Sequence, residues 1–195
     1  MSAEKKQVNA SPDSQSVALR NALGSFATGI TVVTALGVNE QKIGMTVNSF
    51  NSVSLNPALV LWSIDKKSNC FSDFIKAKSY AIHVLSHEQQ AISDQFALSG
   101  EDKFSNLQCT SGLNNVPILP DFSACFECSI EHQFEGGDHI ILVGKVLKFE
   151  DRGSQPLVFL RRAYPFRADA RRSLVRVFRS RSANEEGRCR APEST

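Results

Sequence analysis

The residues best suited to chemistry in this chain fall in three polar clusters: Gly44 to Pro57 (GMTVNSFNSVSLNP), Asp65-Lys66-Lys67-Ser68-Asn69, and Gly136-Gly137-Asp138-His139. The first interleaves hydroxyls and amides with apolar residues. In an extended strand, Thr46, Asn48, Phe50, Ser52 and Ser54 face one way, and Val47, Ser49, Asn51 and Val53 the other. One face is then mostly small and polar. A core gains nothing from such a face, because each buried hydroxyl or amide needs a partner to offset about 1–3 kcal/mol of desolvation. A bound molecule rich in donors and acceptors supplies those partners; the alternative is an exposed strand or loop, where Ser and Asn are ordinary. The second cluster sets two ammonium groups and a hydroxyl at the expected mouth of a helix, where free N–H groups and the dipole favour an anion such as phosphate. Its alternative is an exposed charged turn. The third presents a histidine just past a tight turn, and a lone histidine is more often structural than catalytic.

Other candidate groups carry weaker signals. His83, His87 and His132 form no carboxylate–histidine pattern for a metal or a nucleophilic triad. His83 and His87 are four apart, but His83 falls in a strand pattern, which breaks the helical geometry that spacing needs. The five cysteines, Cys70, Cys109, Cys125, Cys128 and Cys189, are an odd set without paired metal spacing. Reduced thiols in a cytoplasmic protein fit them best, and no metal is expected. Cys125 and Cys128 sit in one strand-like run at a separation that puts them on opposite faces. Arg161-Arg162-Ala163-Tyr164 ends the last strand with groups able to hold phosphate, stack on a ring or decorate a surface.

The elements that must position these groups read as short strands with a few helices. Ser16 to Phe26 is a short amphipathic helix capped by Ser14 or Ser16 and ended by Gly29. Ile30 to Leu36 is a β-branched strand closed by Gly37-Val38-Asn39-Glu40, and the polar shelf Gly44 to Pro57 follows as the next strand. Ala58 to Ile64 is a buried strand, Cys70 to Lys76 a helix, Tyr80 to Leu85 a strand, and Glu88 to Ala97 a helix. Residues 98–121 form a long irregular connection carrying Asp102-Lys103-Phe104. Cys125 to Glu135, Asp138 to Glu150 and Leu157 to Leu160 complete the strands, with Gly136-Gly137-Asp138 as a hairpin turn. Six or more strands imply a mainly antiparallel barrel.

With 195 residues, 42% of them hydrophobic, the chain can bury one good core. The net charge of +2 hides an asymmetry: residues 161–195 hold ten arginines against four acidic residues, which leaves 12 basic and 16 acidic side chains in residues 1–160. The basic excess lies outside the periodic part, so nucleic-acid binding is not expected. No run approaches the roughly 18 apolar residues of a membrane span, and residues 1–16 are polar rather than a signal peptide. The expected organisation is a flexible leader over 1–15, one domain over 16–167, and an arginine-rich extension over 168–195 without periodicity.

Taken in order, Phe26-Ala27-Thr28-Gly29-Ile30-Thr31-Val32-Val33-Thr34, the shelf from Gly44 to Pro57, Asp102-Lys103-Phe104, Gly136-Gly137-Asp138-His139 and Arg161 to Tyr164 resemble the short-chain flavin reductase family, the small components of two-component flavin monooxygenases. The resemblance covers about residues 16–167. It implies an FMN-binding split barrel, mainly β and antiparallel, with Greek-key character and a few short flanking helices. It implies hydride transfer from NADH or NADPH to FMN or FAD, with reduced flavin passed to a separate oxygenase, and a homodimer. By this resemblance Thr46, Val47, Asn48 and Ser49 contact the isoalloxazine edge, Ser52 and Ser54 lie near the ribityl chain, and Asp65, Lys66, Lys67 and Ser68 lie near the phosphate. His139 sits beside the nicotinamide, Asp138 shapes its turn, and Arg161 and Tyr164 line the outer pocket. The alternatives are a split-barrel protein whose tightly bound FMN reduces another acceptor, and a non-catalytic flavin-binding module. Tyr164-Pro165-Phe166-Arg167 matches the family's closing strand loosely, and the extension after Ala168 has no counterpart in it.

Overall fold

A computed structural model describes residues 12–100, 102–161 and 163–165. Helix α1 (Pro12–Leu23) leads into β1 (Thr28–Gly29), β2 (Thr31–Leu36), β3 (Lys42–Val47), β4 (Asn51–Leu55) and β5 (Ala58–Asp65). Helix α2 (Phe71–Lys76), β6 (Ser79–Val84) and α3 (Gln90–Ala97) follow. Residues 98–121, expected to be irregular, instead contain β7 (Thr110–Ser111) and β8 (Pro117–Ile118) around a 3-10 turn at Leu113–Asn115. The last described elements are β9 (Ala124–Gly136), β10 (His139–Asp151) and β11 (Val158–Phe159). Among the described residues no helix is long and apolar enough to cross a membrane. The extension 168–195, the last two residues of Tyr164-Pro165-Phe166-Arg167, and most of the expected leader lie outside the described residues.

Seven strands form one antiparallel sheet in the order β3-β2-β6-β9-β10-β5-β4. Strands β3 and β4 are consecutive in the chain, yet they occupy opposite edges. Only residues 48–50 separate them, and that stretch of chain reaches about 14 Å at most. The sheet must therefore curl until its two edges nearly meet without pairing, which is a split barrel. The expected single strand across the shelf is corrected here: it breaks at Asn48–Phe50. At the break the Ser49 hydroxyl accepts the Ser63 N–H at 3.0 Å and donates to the Ser63 carbonyl at 3.1 Å, taking over from ladder bonds.

The β-branched run after Ile30 is buried on both faces. Val33 and Ala35 join the main core with Trp62, Phe74 and Tyr80, while Ile30 and Val32 face a second core with Phe96, Phe104 and Leu119. Trp62 meets Phe74 and Tyr80 edge-on, at centroid separations of 5.1 and 5.9 Å. Each such buried side chain stabilises the fold by about 2 kcal/mol. The second core fixes α3 and the 98–121 segment against the sheet, and Gly44 makes that approach possible. A Cβ there would lie 2.6 Å from the Phe96 ring and 3.1 Å from that of Phe104.

The N-terminal helix departs from expectation in two ways. It starts at Pro12, a favoured first-turn residue, and it stops at Leu23, where the Gly24 N–H donates to the Arg20 carbonyl at 3.0 Å. Gly29, the expected terminator, lies in β1. Val17, Leu19, Leu23 and the following Phe26 are all exposed. Cys125 and Cys128 are buried free thiols in separate clusters, and desolvation pushes both well above the usual thiol range.

Candidate functional site

Two of the polar clusters meet in the sheet. Strands β5 and β10 pair so that Asp65 stands directly opposite His139. The Lys66 N–H donates to the Asp138 carbonyl at 3.0 Å, and the Lys66 ammonium donates to the Gly137 carbonyl at 2.8 Å and to Glu135 at 2.5 Å. Gly137, with φ of +73°, supplies the left-handed residue that this tight turn requires. The Asp65 carboxylate accepts the Lys67 N–H at 2.8 Å, folding the next residues back. The two turns thus form one braced block.

His139 is oriented by that block. Its Nδ1–H donates to Asp138 at 2.7 Å, and the hydrogen bond, with the charge of the ring, holds the Asp138 carboxyl below the usual range. Anchoring Nδ1 leaves Nε2 as the free polar atom of a ring that is 40% exposed.

The shelf divides into side chains used by the fold and side chains left over. Thr46 donates to the Ser93 carbonyl at 2.6 Å, Ser54 accepts the Asn56 N–H at 3.2 Å, and Ser49 is tied to β5 as described. Val47 is buried in the main core. Asn48 and Ser52 are exposed and make no side-chain hydrogen bond among the described residues. The ladder between β4 and β5 is irregular between Ser52 and Ser54.

A cleft of about 360 Å³ opens between β3, the Lys67–Cys70 turn and the segment from Phe96 to Phe104. Of the sequence candidates, Thr46, Lys67 and Ser68 line it. Lys42 and Lys103 line it too and were not among the candidates; the Asp102-Lys103-Phe104 motif was the available signal. Asp102 accepts the Phe104 N–H at 3.0 Å, and Lys103 donates to the carbonyls of Gly44 at 3.1 Å and Phe96 at 2.9 Å. Burial pushes the Lys103 ammonium below its usual range.

The closing segment is attached at two points. The Tyr164 hydroxyl bonds Ser93 at 2.8 Å and donates to Asp94 at 3.4 Å, while its ring packs edge-on against Phe159 at 5.5 Å. Tyr164 and Thr46 therefore share Ser93. Arg161 instead stands beside α1, its N–H donating to the Gly24 carbonyl at 2.8 Å, and it does not line the cleft.

A second, smaller polar cleft of about 170 Å³ lies between the 110–122 segment and the far ends of β9 and β10. Glu127 accepts the Leu113 N–H at 2.5 Å and pairs with Lys148 at 2.8 Å; Arg152 pairs with Glu150 at 2.7 Å and lies 3.7 Å from the Phe122 ring centroid. Burial pushes the Glu127 carboxyl up, but Lys148 and the Leu113 N–H outweigh it and hold the group low. Among the described residues no three His, Cys, Asp or Glu side chains are grouped to hold a metal ion.

The family described as "flavin reductase like domain" matches residues 23–166, which include the shelf, the braced block and the lysine cleft. This chain belongs to that family. A flavin reductase relative from Agrobacterium fabrum, named an FMN reductase (NADH), is 48% identical over 140 residues, covering 72% of this chain and 79% of its own. A probable flavin reductase of Rhizobium meliloti is 44% identical over 147 residues, but the match spans 75% of this chain and only 47% of that protein. The chain thus spans about half the length of that curated relative. Among solved structures, an NADH:FAD oxidoreductase of Streptomyces globisporus in complex with NAD and FAD fragments superposes with a TM-score of 0.74 at 32% identity, over 84% of this chain and 99% of that one. The split barrel is therefore the fold of the flavin reductase family.

Proposed function

We propose that this protein is an NAD(P)H:flavin oxidoreductase that reduces FMN or FAD with NADH or NADPH and hands reduced flavin to a separate monooxygenase. The observation that carries the reading is the pairing of Asp65 with His139, which sets an oriented histidine at one end of a turn whose other end enters a lysine-lined cleft. Relatives named as NADH-dependent FMN and FAD reductases and as reductase components of monooxygenases support it.

The residues fit a flavin by their donors: Asn48 and Ser52 have unspent polar groups beside the split, and the cleft is rich in ammonium groups. When bound together, nicotinamide and flavin supply the hydride chemistry themselves. The chain has three tasks. The backbone and free side chains of Thr46 to Ser54 hold the ring edge, Lys67 and Ser68 hold the phosphate end, and His139 presents Nε2 to the nicotinamide with Asp138 fixing its tautomer. Tyr164 braces Thr46 through Ser93. We further propose a cytoplasmic homodimer. Exposed Leu55, Phe149 and Phe26 favour it, and sedimentation would measure it.

Steady-state oxidation of NADH and NADPH with added FMN, FAD or riboflavin tests the activity. Flavin-dependent turnover is expected with at least one nucleotide, and none with either would sink the proposal.

A further inference from the structure

The turn that carries His139 stands clear of the core. Gly137 and Asp138 form its tip between the paired residues Gly136 and His139. A Cβ on Gly137 would meet nothing within 4 Å, and the Asp138 side chain is 83% exposed. An exposed glycine turn opens easily unless something ties it down. Here both tip carbonyls accept from one residue of β5's end: that of Asp138 from the Lys66 N–H at 3.0 Å, and that of Gly137 from the Lys66 ammonium at 2.8 Å. The same ammonium pairs with Glu135, on the strand entering the turn, at 2.5 Å. An exposed ion pair adds little to stability, so the effect of this clamp is geometric. It fixes the main chain of Asp138, whose carboxylate sets the His139 ring through Nδ1. Two of the three ammonium donors of Lys66 are thereby spent, and Glu135 meets its charge. Lys66 has the sequence position of an anion ligand and the contacts of a brace.

We propose that Lys66 is a positioning residue for His139: by clamping the turn from Glu135 to Asp138 it holds the imidazole where Nε2 meets the nicotinamide, and it takes no part in holding the flavin. The role rests on the flavin reductase reading of the chain. It divides the Asp65 to Ser68 cluster between two tasks, since Lys67 and Ser68 line the cleft and Lys66 does not. A reacting group displaced by a fraction of an ångström loses rate without loss of fold. The clamp therefore acts on the nucleotide step alone, and only through the histidine.

A double-mutant cycle on the full-length protein, combining Lys66→Met with His139→Ala, provides the test. Lys66→Met alone should lower kcat/KM for NADH or NADPH about fivefold, with the KM for FMN within about twofold of the wild type. In the His139→Ala background it should cost nothing further, so that the double variant loses about tenfold rather than the roughly fiftyfold product of independent effects. The melting temperature should stay within about 2 °C, as for an exposed ion pair. If Lys66→Met does not fold, Glu135→Gln, altering an exposed side chain, should lower kcat/KM about twofold with the same non-additivity. Losses that multiply in the double variant would show that Lys66 acts without His139. A raised KM for FMN with that for riboflavin unchanged would make Lys66 a phosphate ligand. Either result overturns the proposal. Wild-type protein that turns over no flavin would instead fail the reductase reading, and the clamp has a readout that needs no turnover. Nitrogen-15 NMR of the imidazole should find the Nδ1–H tautomer of His139 in the wild type and a mixture in Lys66→Met; an unchanged tautomer would overturn the positioning role by itself.

Discussion

The two polar clefts of this molecule arrange their charges in opposite ways. At the larger, ammonium groups from Lys42, Lys67 and Lys103 meet, among the described residues, a single carboxylate, Asp102, already committed to a backbone N–H. At the smaller, Glu127 pairs with Lys148 and Arg152 with Glu150, and the Glu127 carboxylate also pins the Leu113 N–H. Charge density is high in both, yet among the described residues only the larger has charge left for another molecule. A polar cleft is therefore read by what its groups lack. The smaller cleft is a fastening that holds the 110–122 segment to the sheet, and its variants should register in stability; those of the larger cleft and of His139 in the neighbouring block should register in kinetics.

The largest effect expected on the fastening side comes from acid. His83 is fully buried under that segment, its Nδ1–H donating to the Val32 carbonyl at 3.1 Å and its Nε2 accepting the Leu119 N–H at 3.2 Å. Burial, aided by the positive charge of Arg152 and opposed by the Val32 bond and Glu127, lowers its pKa from 6.5 to about 4. The unfolded chain therefore takes up the proton first. Stability from this group is complete above pH 6.5, and as pH falls toward 4 it is lost by about 3 kcal/mol. Urea unfolding at stepped pH should show that slope, and a His83→Gln variant should flatten it; an unchanged slope would remove His83 as its source. Next in size, Glu127→Ala should cost about 2 kcal/mol by stranding the Leu113 N–H and unpairing Lys148, while the FMN KM of the folded protein stays unchanged. A shift in KM without a loss in melting temperature would reverse the contrast between the clefts. The smallest in energy is His139→Ala, expected to lower kcat/KM for the nicotinamide nucleotide about tenfold, or roughly 1.4 kcal/mol, with flavin affinity and melting temperature kept. An unchanged rate and nucleotide affinity would take His139 out of the mechanism.

The strands were legible because β-branched runs such as Ile30 to Leu36 alternate with turn residues, and the antiparallel β class follows from that pattern. The break at Asn48–Phe50 was not, because both halves of the shelf have the same composition and only pairing with β2 on one side and β5 on the other separates them. The same limit applies to the site. Asp65 to Ser68 read as one anion cluster, but Lys66 turns to Glu135, 69 residues away in the chain, while Lys67 and Ser68 face the cleft. Lys103 was visible as part of a motif without a role, since its partners are main-chain carbonyls, which no side-chain pattern encodes.

The corner at Asn48–Phe50 has a consequence for how this protein can vary. It joins the two free edges of the curled sheet, and Ser49 clips it to β5, so the seam of the fold and the rim of the proposed site are built from the same residues. A substitution there is pleiotropic: it alters closure and recognition together, and neither can be tuned without disturbing the other. Under the proposed function, adaptation to a different flavin has more freedom at Lys42, Lys67 and Ser52, whose side chains bear no part of the seam.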